Sequence, residues 1–317
     1  MKLVVLTFNK TDMAAFAPAH PAHEFVFAGS AQEAAEALQD ADVLVVSNRA
    51  YTRDFATRFL AGRFERLKLI HFTTAGIDSG LEFGLPAGIP VTNASGVKAP
   101  VVSEHAIALL LTLVHGIPQS LLSQAEQAWT RETLTPQLGC LHGRTACVIG
   151  LGPIGREIAR KLSAFDVKVL ALSRGGADAQ NIAAFFPRER LHEALGQANI
   201  VIAATNPDAQ TTGMFDAAAF AAMQKGTIFI NIARGSLVES DALMAALRSG
   251  YLAGAGLDVT HIEPLPAGDP LWSAPNVVIT PHVAGAGSDG IPEQTALIGR
   301  IIAALETGAK LPNILRE

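Results

Sequence analysis

Residues 145 to 165 read TACVIGLGPIGREIARKLSAF: an apolar run, then Gly150, Gly152 and Gly155 spaced G-x-G-x-x-G, then a helical pattern. In a strand-turn-helix context this spacing has a physical use. The first two glycines permit a tight turn and close backbone approach to a pyrophosphate, and the third lets helix and strand pack closely. The helix amino terminus offers unpaired N–H donors and the positive end of its dipole. Three later segments each end a strand-like run on one polar side chain: FINIARGSLV carries Arg234, GLDVTHIEPLP carries Glu263 and VVITPHVAG carries His282. Ligands of open α/β sheets bind at the carboxyl ends of the strands, so side chains from separate strands can converge on one ligand. A guanidinium binds oxyanions through parallel donors, an imidazole exchanges a proton near neutral pH, and a nearby carboxylate favours the imidazolium.

The strand after the glycine loop decides which dinucleotide fits. An acidic side chain at its end would accept hydrogen bonds from the ribose hydroxyls of NAD. Here the strand ends in VLALSRGG, and Ser173 and Arg174 stand where the carboxylate would be. A carboxylate repels a 2′-phosphate, whereas a hydroxyl and a guanidinium bind it through charge-assisted hydrogen bonds. The expected preference is NADP(H), with NAD(H) still possible; the alternative for Arg174 is a solvated loop charge.

These residues need a scaffold of strands that end on one edge. Short apolar runs alternate with Ala-rich helical stretches: LVVLTF at 3 to 8, SAQEAAEALQD, DVLVVSN at 42 to 48 and LKLIHFTT at 67 to 74. After residue 144 the rhythm resumes with ACVIG, KVLALS, IVIAAT, TIFINIA, AGAGLDV and NVVIT, six candidate strands of a doubly wound parallel sheet. Between the blocks, Pro100 and Ser103 open an apolar segment too long for a strand, read as a buried helix joining two domains. GIPEQTALIGRIIAALETG, after Pro292, reads as a helix that packs back on the first domain.

Composition narrows the partners. At 317 residues, roughly 150 per domain gives about two domains. Hydrophobic residues make up 49% and charged residues 17%, far from the composition of disorder. A net charge of −5 and the lack of a basic run with interleaved aromatics give nucleic acid no electrostatic support. The longest apolar run, Ala106 to Val114, is half of a membrane span. MKLVVLTFNK is too short in its apolar part for a signal peptide, so the expected compartment is the cytoplasm. Cys140 and Cys147, with no second pair, build neither a disulfide framework nor a zinc knuckle and read as packed thiols. His261 and Glu263 form H-I-E without a C-x-x-C, so no metal is expected. The sequence around Ser236 and Ser240 lacks the G-x-S-x-G elbow of a hydrolase. His71, His105, His20 and His23 read as structural.

TTAGID at 73 to 78, NASGV, SEHAIALLL, GLGPIG, the Arg234 and Glu263 segments and ITPHVAG, in this order over nearly the whole chain, resemble the D-isomer specific 2-hydroxyacid dehydrogenase family, of the glyoxylate/hydroxypyruvate reductase type. The resemblance implies an α/β fold of two domains, a Rossmann nucleotide-binding domain (98–285) inserted in a flavodoxin-like substrate domain (1–97 and 286–317), with a cleft between them. It implies hydride transfer between the dinucleotide and a small 2-oxo or 2-hydroxy acid. Arg234 would hold the substrate carboxylate and polarise the keto oxygen, His282 would exchange the hydroxyl proton, and Glu263 would be its partner. Pro153 and Ile154 would lie against the pyrophosphate, Ile232 and Asp258 near the nicotinamide, and Ala75 and Gly76 beside the substrate carboxylate as backbone donors. In SNRAYT, Arg49 or Tyr51 would reach the variable end of the substrate, with an exposed loop charge as the alternative for Arg49. A homodimer is implied, and the segment from Gln124 to Leu141 with Trp129 is the candidate contact unless Trp129 is core.

The chain departs from the family pattern at Ser173, and at ATNPDAQTTG, which replaces a Leu-Pro-x-Thr-Pro run and holds Thr205, to which a cofactor contact is assigned. No regulatory domain is expected after residue 317. A dinucleotide-sensing binding protein or corepressor with incidental turnover is the alternative function. Sensing needs none of the proton chemistry of Arg234, Glu263 and His282, which favours the enzyme. A formate-type reaction releases no hydroxyl proton and needs no Glu-His acid.

Overall fold

Runs such as VLVV at 43–46 and IVIA at 200–203 lack polar alternation, as strands do when both faces are covered, and each lies inside a parallel sheet. The computed structural model describes residues 1–7, 14–173, 180–287 and 290–316. Two compact units emerge: Met1–Lys98 with Gly287–Glu317, and Ala99–Ala286.

In chain order the strands are β1 (Lys2–Leu6), β2 (Glu24–Ala28), β3 (Val43–Val46), β4 (Leu69–Phe72), β5 (Val91–Asn93), β6 (Thr145–Ile149), β7 (Lys168–Leu172), β8 (Ala184–Phe186), β9 (Ile200–Ala203), β10 (Thr227–Asn231), β11 (Leu252–Leu257), β12 (Val277–Ile279) and β13 (Ile314–Arg316). In the first unit the order is β13-β5-β4-β3-β1-β2, parallel except for β13 on the edge, which is the flavodoxin-like arrangement. Alternate residues serve opposite faces. Val4, Leu44, Val46 and Ile70 face Tyr51, Phe55 and Phe59, whereas Leu3, Val5, Val43 and Leu69 pack on Leu297, Ile298 and Ile301 of the helix Ile291–Thr307. The same face holds a polar lock. Gln294 Nε2 donates to His71 Nε2 at 3.1 Å, so the His71 proton is on Nδ1, donated to Thr92 Oγ1 at 2.9 Å. Complete burial pushes the His71 imidazole down to about 3, which keeps it neutral.

Among the described residues the second unit forms a seven-stranded parallel sheet, β12-β11-β10-β9-β6-β7-β8. The strand order reverses beside β6, the crevice where dinucleotides bind in this architecture. Cys147, Ile149, Leu170 and Val201 face one core with Phe215 and Phe229, while Val148, Val169, Ile200 and Ile202 face another with Ile107 and Leu110 of the helix Ala99–Val114. Strands β8, β2, β5 and β13 were not among the sequence expectations; each is short, peripheral or both, so periodicity says little about it. Cys147 is buried, its thiol pushed up to about 12 by desolvation, but Cys140 is exposed, which corrects the reading of two packed thiols. Among the described residues no single helix is long and apolar enough to cross a membrane.

Candidate active site

The turn after β6 is built for close approach. Gly150 has a φ of 99°, open to glycine, and a Cβ there would lie 2.8 Å from the Ala204 carbonyl oxygen. A Cβ on Gly155 would lie 2.0 Å from the Gly150 oxygen, so glycine alone lets the helix Pro153–Ser163 sit against the strand. Gly152 is the N-cap and Pro153 opens the helix, so no side chain caps the first-turn N–H groups; a Cβ on Gly152 would meet nothing within 4 Å. The N–H groups of Ile154 and Gly155 thus belong to a helix start with no bulk in front of it, which fits a pyrophosphate. The other positions assigned to the cofactor lie at the same carboxyl edge. Ser173 follows β7, its N–H bonded to Phe186 O at 3.1 Å; Arg174 lies outside the described residues. Thr205 follows β9 and is half-buried, and Ile232, after β10, is buried.

The three chemistry-bearing side chains come together on loops after β10, β11 and β12. Asn231 clips the first loop: its Nδ2 donates to Arg234 O at 3.0 Å, and its Oδ1 accepts from Ala233 N at 3.0 Å. Arg234 Nη1 donates to Ala233 O at 2.6 Å. In the second loop, Thr260 N donates to Glu263 Oε1 at 3.1 Å, which orients the carboxylate. Its other oxygen, Oε2, is 2.6 Å from His282 Nδ1. The His282 and Glu263 side chains remain 49% and 38% exposed, and this contact engages Nδ1 of the ring and not Nε2. The hydrogen bond to Glu263 raises the His282 imidazole above its ordinary 6.5, against desolvation and the Arg234 charge. Burial pushes the Glu263 carboxyl up, but the His282 hydrogen bond and charge, the Thr260 amide and Arg234 together hold it below its ordinary value. A charge-assisted pair of this kind favours the protonated ring.

Contacts that sequence reasoning passed over complete the site. A Cβ on Gly235 would fall 1.9 Å from Thr260 O and 2.5 Å from His261 N, so the Arg-Gly dipeptide lets the Arg234 and Glu263 loops touch. Asp258, buried and read as a nicotinamide neighbour, spends its carboxylate on the His282 loop, accepting from Thr280 Oγ1 at 2.6 Å, Val283 N at 2.9 Å and Ala284 N at 2.9 Å. His105 Nε2 lies 2.9 Å from Thr280 Oγ1. The spacing of these residues in the chain carries no signal of either contact.

The residues assigned to substrate in the first unit are placed separately. Ala75 and Gly76 are half-buried after β4; Asn93 Nδ2 donates to Ala75 O at 2.6 Å and Thr74 Oγ1 to Gly76 O at 2.7 Å. Arg49 is exposed after β3. Tyr51 is fully buried among Phe55, Phe59 and Phe72, its hydroxyl donating to Gly84 O at 2.7 Å, so it does not reach a substrate; aromatic packing outweighed its polar tip. Trp129 is 93% exposed and is not core.

A parallel sheet of this order, with a glycine turn after its central strand and an Arg, Glu and His gathered at its carboxyl edge, defines a dinucleotide-dependent dehydrogenase. The family model described as D-isomer specific 2-hydroxyacid dehydrogenase, NAD binding domain, matches residues 107–284. The chain is 33% identical over 265 residues to the human (Homo sapiens) glyoxylate reductase/hydroxypyruvate reductase, covering 82% of this chain and 80% of the relative. A D-isomer specific 2-hydroxyacid dehydrogenase family protein from Aeromonas salmonicida subsp. salmonicida A449 superimposes with a TM-score of 0.86 at 28% identity, over 99% and 98% of the two chains. A D-isomer specific 2-hydroxyacid dehydrogenase from Xanthobacter autotrophicus Py2, solved in complex with NADPH and MES, gives 0.81 at 28% identity, over 99% and 97%. The chain belongs to the D-isomer specific 2-hydroxyacid dehydrogenases and is an NAD(P)-dependent oxidoreductase acting on the CH–OH group of its donors.

Proposed function

We propose that this enzyme reduces a small 2-oxo acid of the glyoxylate or hydroxypyruvate type with NADPH, and that Arg234, Glu263 and His282 carry the reaction. The nicotinamide, when bound, supplies the hydride; the chain supplies charge and a proton. Arg234 holds the substrate carboxylate and polarises the keto oxygen, since a planar guanidinium offers parallel donors to an oxyanion. His282, protonated and backed by Glu263, gives its Nε2 proton to the oxygen as it gains charge and takes one back in oxidation. Lysine at 234 is a poor substitute for that geometry. The observation that carries this reading is the 2.6 Å contact between His282 Nδ1 and Glu263 Oε2.

The glycine loop with Pro153, Ile154, Thr205, Ile232 and Asp258 lines the cofactor side, and Ser173 with Arg174 takes the 2′-phosphate. The NADPH held by the Xanthobacter structure supports that preference. Ala75, Gly76 and Arg49 are the substrate contacts of the substrate domain, residues 1–97 with 286–317. Exposed apolar side chains at Trp129 and Leu138, with Ile117, Leu121 and Leu122 just before them, support a homodimer contact through the segment from Gln124 to Leu141. Free thiols at Cys140 and Cys147 suit a reducing cytoplasm. The relatives reported above are named as a reductase and dehydrogenases, which favours turnover over a sensing role.

The test is loss of NADPH absorbance, with NADH in parallel, across glyoxylate, hydroxypyruvate, pyruvate and phenylpyruvate. Turnover of the two smaller acids, faster with NADPH, is the expected result. His282→Ala should lower turnover by roughly 10² to 10⁴ with little change in NADPH binding, as loss of a positioned acid does. Undiminished turnover would overturn the assignment of His282.

A further inference from the structure

We infer that His105 is a positioning residue for this reaction, clamping the loop that carries His282 through Thr280 and Asp258. The inference rests on the reading of His282 as the acid. Asp258 is 2% exposed and its carboxylate only accepts hydrogen bonds. The Thr280 hydroxyl proton is therefore spent on Asp258 Oδ1, at 2.6 Å, and Thr280 Oγ1 accepts from His105 Nε2 at 2.9 Å. This relay fixes the His105 proton on Nε2 and sets the ring 3.5 Å from Asp258 Oδ1.

The same aspartate grips the rest of the loop. Its carboxylate takes the N–H groups of Val283 and Ala284, each at 2.9 Å, and its carbonyl oxygen takes the His282 N–H at 2.8 Å. His282 itself has a φ of 54°, a left-handed conformation that is uncommon outside glycine and that the contacts of this loop hold in place. His105 is the contribution of the largely apolar helix Ala99–Val114 to that grip, a polar side chain reaching a partner 175 positions along the chain. Without its donor, Thr280 Oγ1 loses a partner and the loop loses an anchor. The imidazole then samples positions away from the reacting oxygen, a loss expressed in turnover more than in binding.

The experiment compares wild type, His105→Leu, His105→Gln, Thr280→Val, the double variant His105→Leu with Thr280→Val, and His282→Ala, by glyoxylate reduction and by amide NMR of the enzyme without cofactor. His105→Leu should lower kcat about tenfold, with KM for glyoxylate and the NADPH dissociation constant within about twofold. The amide protons of Val283 and Ala284 should shift at the same time. His105→Gln, which keeps an N–H donor near the Nε2 position, should restore most of kcat, and the double variant should be no worse than Thr280→Val, as expected for one shared relay. A His105→Leu enzyme with wild-type kcat and unmoved Val283 and Ala284 amides would overturn the inference, as would a folded His105→Gln enzyme no better than His105→Leu. If His282→Ala stays active, the acid assignment fails instead, while the amide shifts still judge the clamp.

Discussion

Nδ1 of His282 stands 2.6 Å from Oε2 of Glu263, while the second oxygen of that carboxylate is held by the Thr260 amide at 3.1 Å. The carboxylate is thus oriented from both ends. The pair raises the imidazole above 6.5 and holds the carboxyl below 4.5.

Those opposed shifts fix where the pair stabilises the fold. For His282, raised in the folded protein, the contribution is complete below 6.5 and fades as pH rises through the raised value. For Glu263, lowered in the folded protein, it is complete above 4.5 and fades as pH falls through the depressed value. The melting temperature of Glu263→Gln should therefore lie furthest below wild type between pH 4.5 and 6.5. Thermal scans from pH 3 to 10 check this, and a difference that is flat with pH would contradict it.

Cofactor choice should turn at the end of β7. Ser173→Asp places a carboxylate where a 2′-phosphate would sit and should move the ratio of kcat/KM values for NADPH and NADH toward NADH by about tenfold or more. Steady-state kinetics with both cofactors reads it; an unchanged ratio would put the phosphate site elsewhere.

Gly235→Ala tests the contact between the Arg234 and Glu263 loops. The new methyl would lie 1.9 Å from a backbone oxygen, with no flexible side chain to give way. A destabilisation of about 1–3 kcal/mol, with reduced kcat, is expected from such overpacking. Denaturant unfolding and activity measured together check it, and a variant unchanged in both would show that the loops part without cost.

Much of this architecture can be read from the chain because parallel strands buried on both faces announce themselves as apolar runs, as VLVV in β3 and IVIA in β9 do. Edge strands do not: AFF in β8 and ILR in β13 are three residues long and carry no period. The convergence of Arg234, Glu263 and His282 is legible because each follows an apolar, strand-like run, and such runs end on one edge of a parallel sheet. Tyr51 misleads, since the sequence shows its hydroxyl and not the phenylalanines around it. Gly235, Thr280 and His105 are silent for another reason: their partners are set by tertiary approach, with 175 positions between His105 and Thr280.

The central claim is that Glu263 holds a proton on His282 for delivery to the substrate oxygen. Its most direct test is the pH profile of kcat/KM for NADPH-dependent glyoxylate reduction by wild type and Glu263→Gln. Reduction needs the imidazolium, so the wild-type rate should fall only as pH rises through a value above 6.5, and the oxidative direction should rise through the same value. In Glu263→Gln that inflection should move down toward or below 6.5, with lower activity at neutral pH. Coincident profiles for the two enzymes would contradict the account.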